Sequence, residues 1–588
     1  MRQAEIQQAL RRRADRYLGE ARLVVDYYRI RRRVAFPWPI DALPDVGFPV
    51  PIEGYPWHIW LAWAAEERLD SIGWAGHLLA DERLLDRARQ ELTAVARWPT
   101  HSTGAGPDLV LGHFLRTLIG AGRSWEWLGA DVRGEITAAC HRALDHKRAW
   151  LDENLPKLQD AEQVMALPSP LRERATQNIP LIGTIGLAMA AGAVGHGSAA
   201  ALRGRADALV RARFDLLEHG VTEAVAYDGY VLDFVADWLA TRPAEQREPI
   251  LNHPSLDRVL RMSIDLAAPG DVVRVAELGD VEPREMPFHI SAQAKLARMR
   301  ESPLSLWYLG RCRADWLRSD ALAALLELPD APAAAAPTAT GAAVGPYAVT
   351  LRTGWDAGDV AVVIGAPRSL MGHIHFDAGS ILIGHRGAWL IADPGYQQYL
   401  AKREREFTLG PRAHNAPVIN GHAQTAKAAE VIEAGDAGAG VRRAVLDLAR
   451  CYPSEAKVAR ARRLVWLLPT GTVVVCDEIE GDGVAPRLEY AWHAPPEAGW
   501  WADGGKAVVY HAGAELWIAS SAATITRAQI DRLSGSRGHL TLLAEVPVRD
   551  VWARCWWIFN LGTQPAPFEL DGAVLKVDGV ELQAGGMS

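Results

Sequence analysis

Cysteine is scarce in this chain. There are five in 588 residues, Cys140, Cys312, Cys451, Cys476 and Cys555, odd in number and far apart. That excludes a disulfide framework and leaves buried free thiols as the expectation. No run reaches about 18 uncharged apolar residues, so no membrane-spanning helix is expected. The N-terminus, MRQAEIQQALRRRADRYLGE, lacks the apolar stretch of a secretory signal. As given, the chain therefore reads as cytoplasmic, or as periplasmic if a signal was removed. An excess of positive charge is also missing. The formal net charge is −8, so nucleic acid is not expected as a partner, and an anionic ligand must be gripped by a local patch such as Lys402, Arg403, Arg405 and Arg412. Sustained short repeats and heptads are absent too, which excludes solenoids and coiled coils.

What is present is an ordinary globular composition, 49% hydrophobic and 23% charged, in a chain too long for one core. Residues 1–35 read as one amphipathic helix. Pro37, Pro39, Pro44, Pro49, Pro51 and Pro56 then make an extended connection. From Trp57 onward, segments such as WHIWLAWAAEERLDSIGWAGHLLA and NIPLIGTIGLAMAAGAVG carry apolar residues at three- and four-residue spacing, and further helices are expected near 231–240, 255–266, 290–299 and 303–328. Many helices joined by short Pro/Gly loops suit a ring of helical hairpins. PDAPAAAAPTATGAAVGP, residues 329–346, has a linker's composition. From Tyr347 the period becomes two, with runs such as YAVTLRTGW, VAVVIGA and TVVVCDEI separated by Gly, Asp and Pro turns. That pattern predicts an antiparallel sandwich. The expected division is thus 1–49, a helix and Pro-rich connection; 50–328, a helical ring; 329–346, a linker; and 347–588, a sandwich, with a subdivision near 500 left open.

Chemistry-bearing residues concentrate between Met371 and Gln424, where GHIHFD, IADPGY and RAHN interrupt short apolar runs. Strand alternation would put His373 and His375 on one sheet face. A two-residue hairpin at Arg386-Gly387 would set Asp393 opposite Ser380, leaving His375 roughly 17 Å farther along the strand, a gap that a bend near Gly379 or a bulge must close.

GHIHFDAGSILI, ADPGY and RAHNAPVINGHAQ, in that order, resemble the heparinase II/III-like proteins, with looser matches in SWEWLG, TQNIPLIG, AYDGYVLDF and LGDVEP. The resemblance implies a multidomain α+β fold, an incomplete (α/α) toroid followed by an antiparallel β-sandwich. It also implies a polysaccharide or oligosaccharide lyase that cleaves a 4-linked uronic-acid glycan by β-elimination. His373 matches the catalytic histidine and Asn178, beside Gln177, the carboxylate-neutralising asparagine. The family's tyrosine position is here Trp238, so Tyr230 is taken as the proton donor, with Tyr227 close by, and Tyr396 and Tyr399 on the sheet side, also able to serve. His375, Asp393 and His414 match a zinc site, expected to be structural rather than catalytic; two imidazoles and a carboxylate are a sensible divalent set. Arg403, Arg405, Tyr399 and Gln177 are expected to bind substrate. Bland readings stay open for each: a strand-edge histidine, a helix-cap asparagine, a packed tyrosine, a hydrogen-bonded polar cluster, a solvated basic face.

Tryptophan is abundant, with 22 copies. Most should be core, with Trp57 or Trp125 reserved for sugar stacking. His113 and Arg123 are further candidates on the helical half. The expected partner is an anionic poly- or oligosaccharide, with homo-oligomerisation open. A metal-dependent glycan hydrolase on the same scaffold, or a non-catalytic glycan-binding protein, remains the alternative.

Overall fold

Apolar spacing and capping residues build the helical half as the sequence suggests. A computed structural model describes residues 3–27, 32–43, 58–102, 104–120, 126–281, 286–328, 334–337, 342–368, 372–394, 406–531 and 539–585. The chain divides into two units. The first comprises 1–218, 225–260 and 282–336; the second comprises 219–224, 261–281 and 337–588. The second unit thus takes two short pieces from the middle of the helical half as well as the C-terminal sheets.

In the first unit, helix His58–Leu78 is buried along most of its length. Asp81 caps Glu82–Ala96 by accepting from Arg83 N, and Asp108 caps Leu109–Leu118 by accepting from Leu111 N at 2.8 Å. Each satisfies a backbone donor that the helix start would otherwise orphan. Helices Leu109–Leu118 and Asn178–Ala193 cross at glycines, where a Cβ on Gly186 would lie 2.7 Å from the Gly112 Cα. This backbone approach sets the height at which Asn178 starts its helix. Helix Ser319–Leu326 returns to His58–Leu78: Ser319 Oγ lies 2.7 Å from Ser71 Oγ, and Arg318 Nη2 lies 2.8 Å from Glu66 Oε2. The last helix closes on the first long one, as an incomplete toroid requires.

Two expected helices are corrected. Residues 1–35 form a helix only over Gln3–Gly19 and then a ladder of Arg22–Tyr27 against Arg32–Pro37. Val24 and Val25 explain the switch, since β-branched side chains fit a pleated surface better than a helix. The segment 303–328 is two helices, Pro303–Arg311 and Ser319–Leu326, separated by extended backbone at Cys312, Arg313, Leu317 and Arg318.

In the second unit, an eight-stranded antiparallel sheet packs its inner face on a five-stranded and a four-stranded sheet. Its outer face is covered in part by a three-stranded sheet, Phe568–Asp571, Val574–Val577 and Val580–Gln583. The pair Trp556-Trp557 alternates faces on strand Trp552–Leu561, and because both faces are covered, both indoles are core, one in each layer. All five cysteines are buried and free. Among the described residues, no helix is long and apolar enough to cross a membrane.

Candidate functional site

GHIHFD is not a strand. Residues 372–380 form turns and irregular backbone ahead of strand Ile381–His385, and Gly379 takes a φ of +77°. The strand-face argument for His373 and His375 therefore fails. What aligns the two histidines is a carboxylate from a distant part of the chain. His373 Nδ1 donates to Asp280 Oδ2 at 2.8 Å, and His375 Nε2 donates to Asp280 Oδ1 at 2.8 Å. Burial alone would push the Asp280 carboxyl up, but the hydrogen bonds from both imidazoles outweigh it and hold the group below its usual range. The backbone joins the same contact, because Asp280 N donates to the His373 carbonyl at 2.8 Å. Gly279 permits it: its φ is +75°, and a Cβ there would sit 2.6 Å from His373 O. On the other side of the ring, Glu223 Oε1 lies 3.7 Å from His373 Nε2. The His373 side chain is 13% exposed and that of His375 2%, so only the first has solvent access worth the name.

His375, Asp393 and His414 come together, their ligand atoms all within 4.8 Å of one another. The expected gap along the strand is closed by the irregular backbone of residues 372–380, the register shift between Ile383 and Gly384 moving Asp393 the other way, from Ser380 toward Ile381, while the Arg386-Gly387 turn is indeed a two-residue connection from His385 to Ala388. His414 Nε2 lies 3.0 Å from Thr408 O, which can only accept, so that nitrogen carries hydrogen. Its Nδ1 faces Asp393 Oδ2 at 2.9 Å. In a neutral ring this would set a lone pair against a carboxylate; a proton or a metal cation resolves the conflict. Burial opposes a charged His414, yet Asp393 raises its pKa above the ordinary value. His375 Nδ1 is buried with no hydrogen-bond partner among the described residues. An orphaned imidazole nitrogen beside an imidazole and a carboxylate fits a divalent cation such as zinc.

Two further residues fix these loops. Asn415 donates to Ile381 O and Ala392 O at 2.9 and 2.8 Å and accepts from His493 N at 2.7 Å. Arg463, fully buried, grips Asp477 through both carboxylate oxygens and donates to Gly379 O and Asn415 O.

In the helical unit, Asn178 is buried and opens helix Asn178–Ala193; the cap position is Gln177, half-buried, which makes no side-chain cap bond. Tyr230 is fully buried. Its hydroxyl contacts His113 Nε2 and lies 3.2 Å from Trp63 Nε1. His113 Nδ1 faces Glu66 Oε2 at 2.9 Å, and Glu66 is shared with Arg116 and Arg318. Burial lowers the His113 pKa to about 4, against the pull of Glu66, so the ring is neutral. Trp238, where the resembled family has its tyrosine, is packed, donating to Asp207 Oδ1 at 2.9 Å. Arg412 is spent on Glu489. Tyr396, Tyr399, Lys402, Arg403, Arg405, Trp57, Arg123 and Trp125 lie outside the described residues.

A second acidic set, Asp233, Asp237 and Asp320, also has metal-like spacing. It is filled by the chain itself: Lys295 Nζ lies 2.8, 2.7 and 2.8 Å from the three carboxylates.

Asp280 and Glu223 were not singled out from the sequence. LGDVEP, which carries Asp280, was the available signal, but nothing local says that it meets a loop 93 residues later.

Residues 338–541 match the family described as heparinase II/III-like, C-terminal. Among solved structures, the chain is similar to heparinase III, with a TM-score of 0.65 at 13% identity, covering 98% of this chain and 90% of that one. It is also similar to a mutant of the heparan sulfate lyase HepC from Pedobacter heparinus, with a TM-score of 0.58 at 12% identity, covering 98% and 88%. Among curated proteins no sequence matches.

Proposed function

We propose that this chain, whose residues 338–541 match the heparinase II/III-like C-terminal family and whose fold is similar to that of heparinase III, is a polysaccharide or oligosaccharide lyase acting on an anionic, uronic-acid-containing glycan by β-elimination. The observation that carries this reading is the state of His373. Its Nδ1 is held by Asp280 at 2.8 Å and its Nε2 lies 3.7 Å from Glu223 Oε1, and it is the more exposed of the two histidines, so it is assigned as the base. A base is what abstraction of the proton at C5 of a uronate requires. The electrons then form the C4–C5 double bond as the C4–O bond breaks, and the departing oxygen takes a proton.

Asn178 is assigned to the uronate carboxylate. A neutral amide can donate to that carboxylate as negative charge builds at C5, without competing for the proton. Asn178 belongs to the first unit and His373 to the second. The acid is assigned to Tyr230, hydrogen-bonded to His113; full burial makes it the assignment the structure favours least. Arg403, Arg405, Tyr399 and Gln177 are assigned to substrate contacts. His375, Asp393 and His414 would hold a divalent ion, zinc by donor set. That ion would supply charge compensation between two loops and take no part in the proton transfers.

The test is direct. Purified protein is offered heparosan, heparan sulfate, hyaluronan, chondroitin, alginate and glucuronan. Elimination gives a conjugated unsaturated uronate that absorbs in the ultraviolet, and His373→Ala sharply slows its appearance. Reducing ends released without that absorbance would replace the lyase with a metal-dependent hydrolase, the reading the His375, Asp393 and His414 set would then favour. Binding without cleavage would leave a glycan-binding protein.

A further inference from the structure

We propose that strand Gly499–Asp503, at one edge of the eight-stranded sheet, is the interface of a two-fold dimer of this chain, joining the sheets of two copies edge to edge about an axis at Trp501.

The sheet runs from Glu430–Asp436 at one edge to Gly499–Asp503 at the other. An open edge offers unpaired N–H and C=O groups to any further strand, and proteins guard such edges with charge or a bulge. The first edge is guarded. It carries Glu430, Glu433 and Asp436, and its register shifts between Val431 and Glu433. The second edge pairs regularly along its whole ladder with Lys506–His511 and reads GWWAD, its one charge standing at the end. Both indoles are exposed, Trp500 by 44% and Trp501 by 47%.

The turn decides which backbone groups are free. Gly504-Gly505 is a two-residue hairpin loop between Asp503 and Lys506, so that pair closes the ladder with hydrogen bonds and bonded pairs alternate from there. Gly499, Trp501 and Asp503 therefore turn N–H and C=O toward Lys506–His511. Trp500 and Ala502 turn theirs outward, and among the described residues no backbone hydrogen bond from outside the hairpin reaches them. A second copy laid antiparallel satisfies all four groups, and one register alone uses both outward residues within the strand. It sets each Trp500 against the partner's Ala502, large against small, with two hydrogen bonds to the pair. Asp503 then falls opposite the partner's Gly499, so no like charges meet. Trp501 lies on the axis against the partner's Trp501, in the closer, non-hydrogen-bonded position, beside Trp517, whose ring is 6.2 Å away. The contact is isologous and closes at two copies, as most homo-oligomers do.

The full chain is sedimented over a concentration series. A junction of one strand per copy is at the small end of specific interfaces, so a monomer–dimer equilibrium with a Kd of about 1–100 µM is expected. Ala502→Pro removes an outward N–H and breaks no bond within the hairpin. It should weaken the dimer about 10- to 100-fold through the two hydrogen bonds lost across the axis. Disulfide trapping locates the axis, since all five native cysteines are buried. Under copper-phenanthroline oxidation, Trp501→Cys should cross-link, whereas Asp503→Cys, with its thiols about 13 Å apart along the strands, should not. A protein monomeric throughout overturns the proposal, as does a dimer indifferent to Ala502→Pro or one that Asp503→Cys traps as fast as Trp501→Cys. Should Ala502→Pro misfold by circular dichroism, the two cysteine variants decide. A monomer that loses glycan affinity in Trp501→Ala makes the edge a sugar-stacking surface and likewise overturns the dimer.

Discussion

Arg463 offers a quantitative check on how the site is held. Its guanidinium is fully buried and grips both oxygens of Asp477 at 2.7 Å, while Nη1 donates to Gly379 O at 2.6 Å and Asn415 O at 2.8 Å. One side chain thus ties the end of the HxH loop to the loop that carries His414. Arg463→Met keeps much of the volume and removes every donor. It leaves Asp477 as a buried, unpaired charge, and breaking such a pair costs about 3–5 kcal/mol. For a unit of this size about 2–4 °C of Tm accompanies each kcal/mol, so the sheet unit should melt about 6–20 °C lower. Calorimetry with and without the substitution measures this. Arg463→Met combined with Asp477→Leu removes both charges and should recover most of the loss, because replacing a whole buried pair by apolar groups is nearly neutral or stabilising. A single variant melting within about 2 °C of the unaltered protein, on the same scale, would refute the clamp. A double variant no better than the single would refute its electrostatic origin.

His373→Ala should lower the ultraviolet-detected elimination rate by about 10²–10⁴, the usual contribution of a general base, with an unchanged circular dichroism spectrum. Asn178→Ala should cost about 10²–10³ in kcat by removing a donor to developing negative charge, read in the same assay. A chelator should lower the melting temperature of zinc-loaded protein, and excess zinc should restore it; for an ion present at a hundred times its Kd the effect is about 2.7 kcal/mol. Burial lowers the His101 pKa to about 4, whereas the unfolded chain protonates this residue near 6.5. Between those values the unfolded state binds more protons, so the helical unit should lose about 3 kcal/mol from this residue as pH falls from 6.5 to 4. Denaturant titrations at several pH values should show a flatter acid limb in His101→Gln.

The change from helical to strand periodicity at Tyr347 was visible in the sequence because it depends only on neighbours. So were the core tryptophans Trp60, Trp63 and Trp74, which stand at helical spacing on His58–Leu78. What escaped was set by tertiary contact. GHIHFD reads as strand because its histidines alternate, but Gly372, Asp377 and Gly379 leave it too irregular to pair. The seven residues 219–224 and Asp280 hold Glu223 and the carboxylate beside His373, yet they lie in the helical half of the chain, where periodicity reports only packing. The apparent separation of His375 from Asp393 came from treating the chain as a straight ladder; the turns and irregular backbone of residues 372–380 break that assumption. Tyr230 was legible as a tyrosine beside a DG pair, but its burial against His113, Trp63 and Phe288 depends on three other segments.

The ammonium of Lys295 has a practical corollary. A ring of helices that brings its own counter-ion to three carboxylates has no call for an exchangeable one, and dialysis cannot strip it. Melting curves recorded with and without a chelator should therefore move one transition and spare the other, labelling each half of the molecule without a cut in the chain.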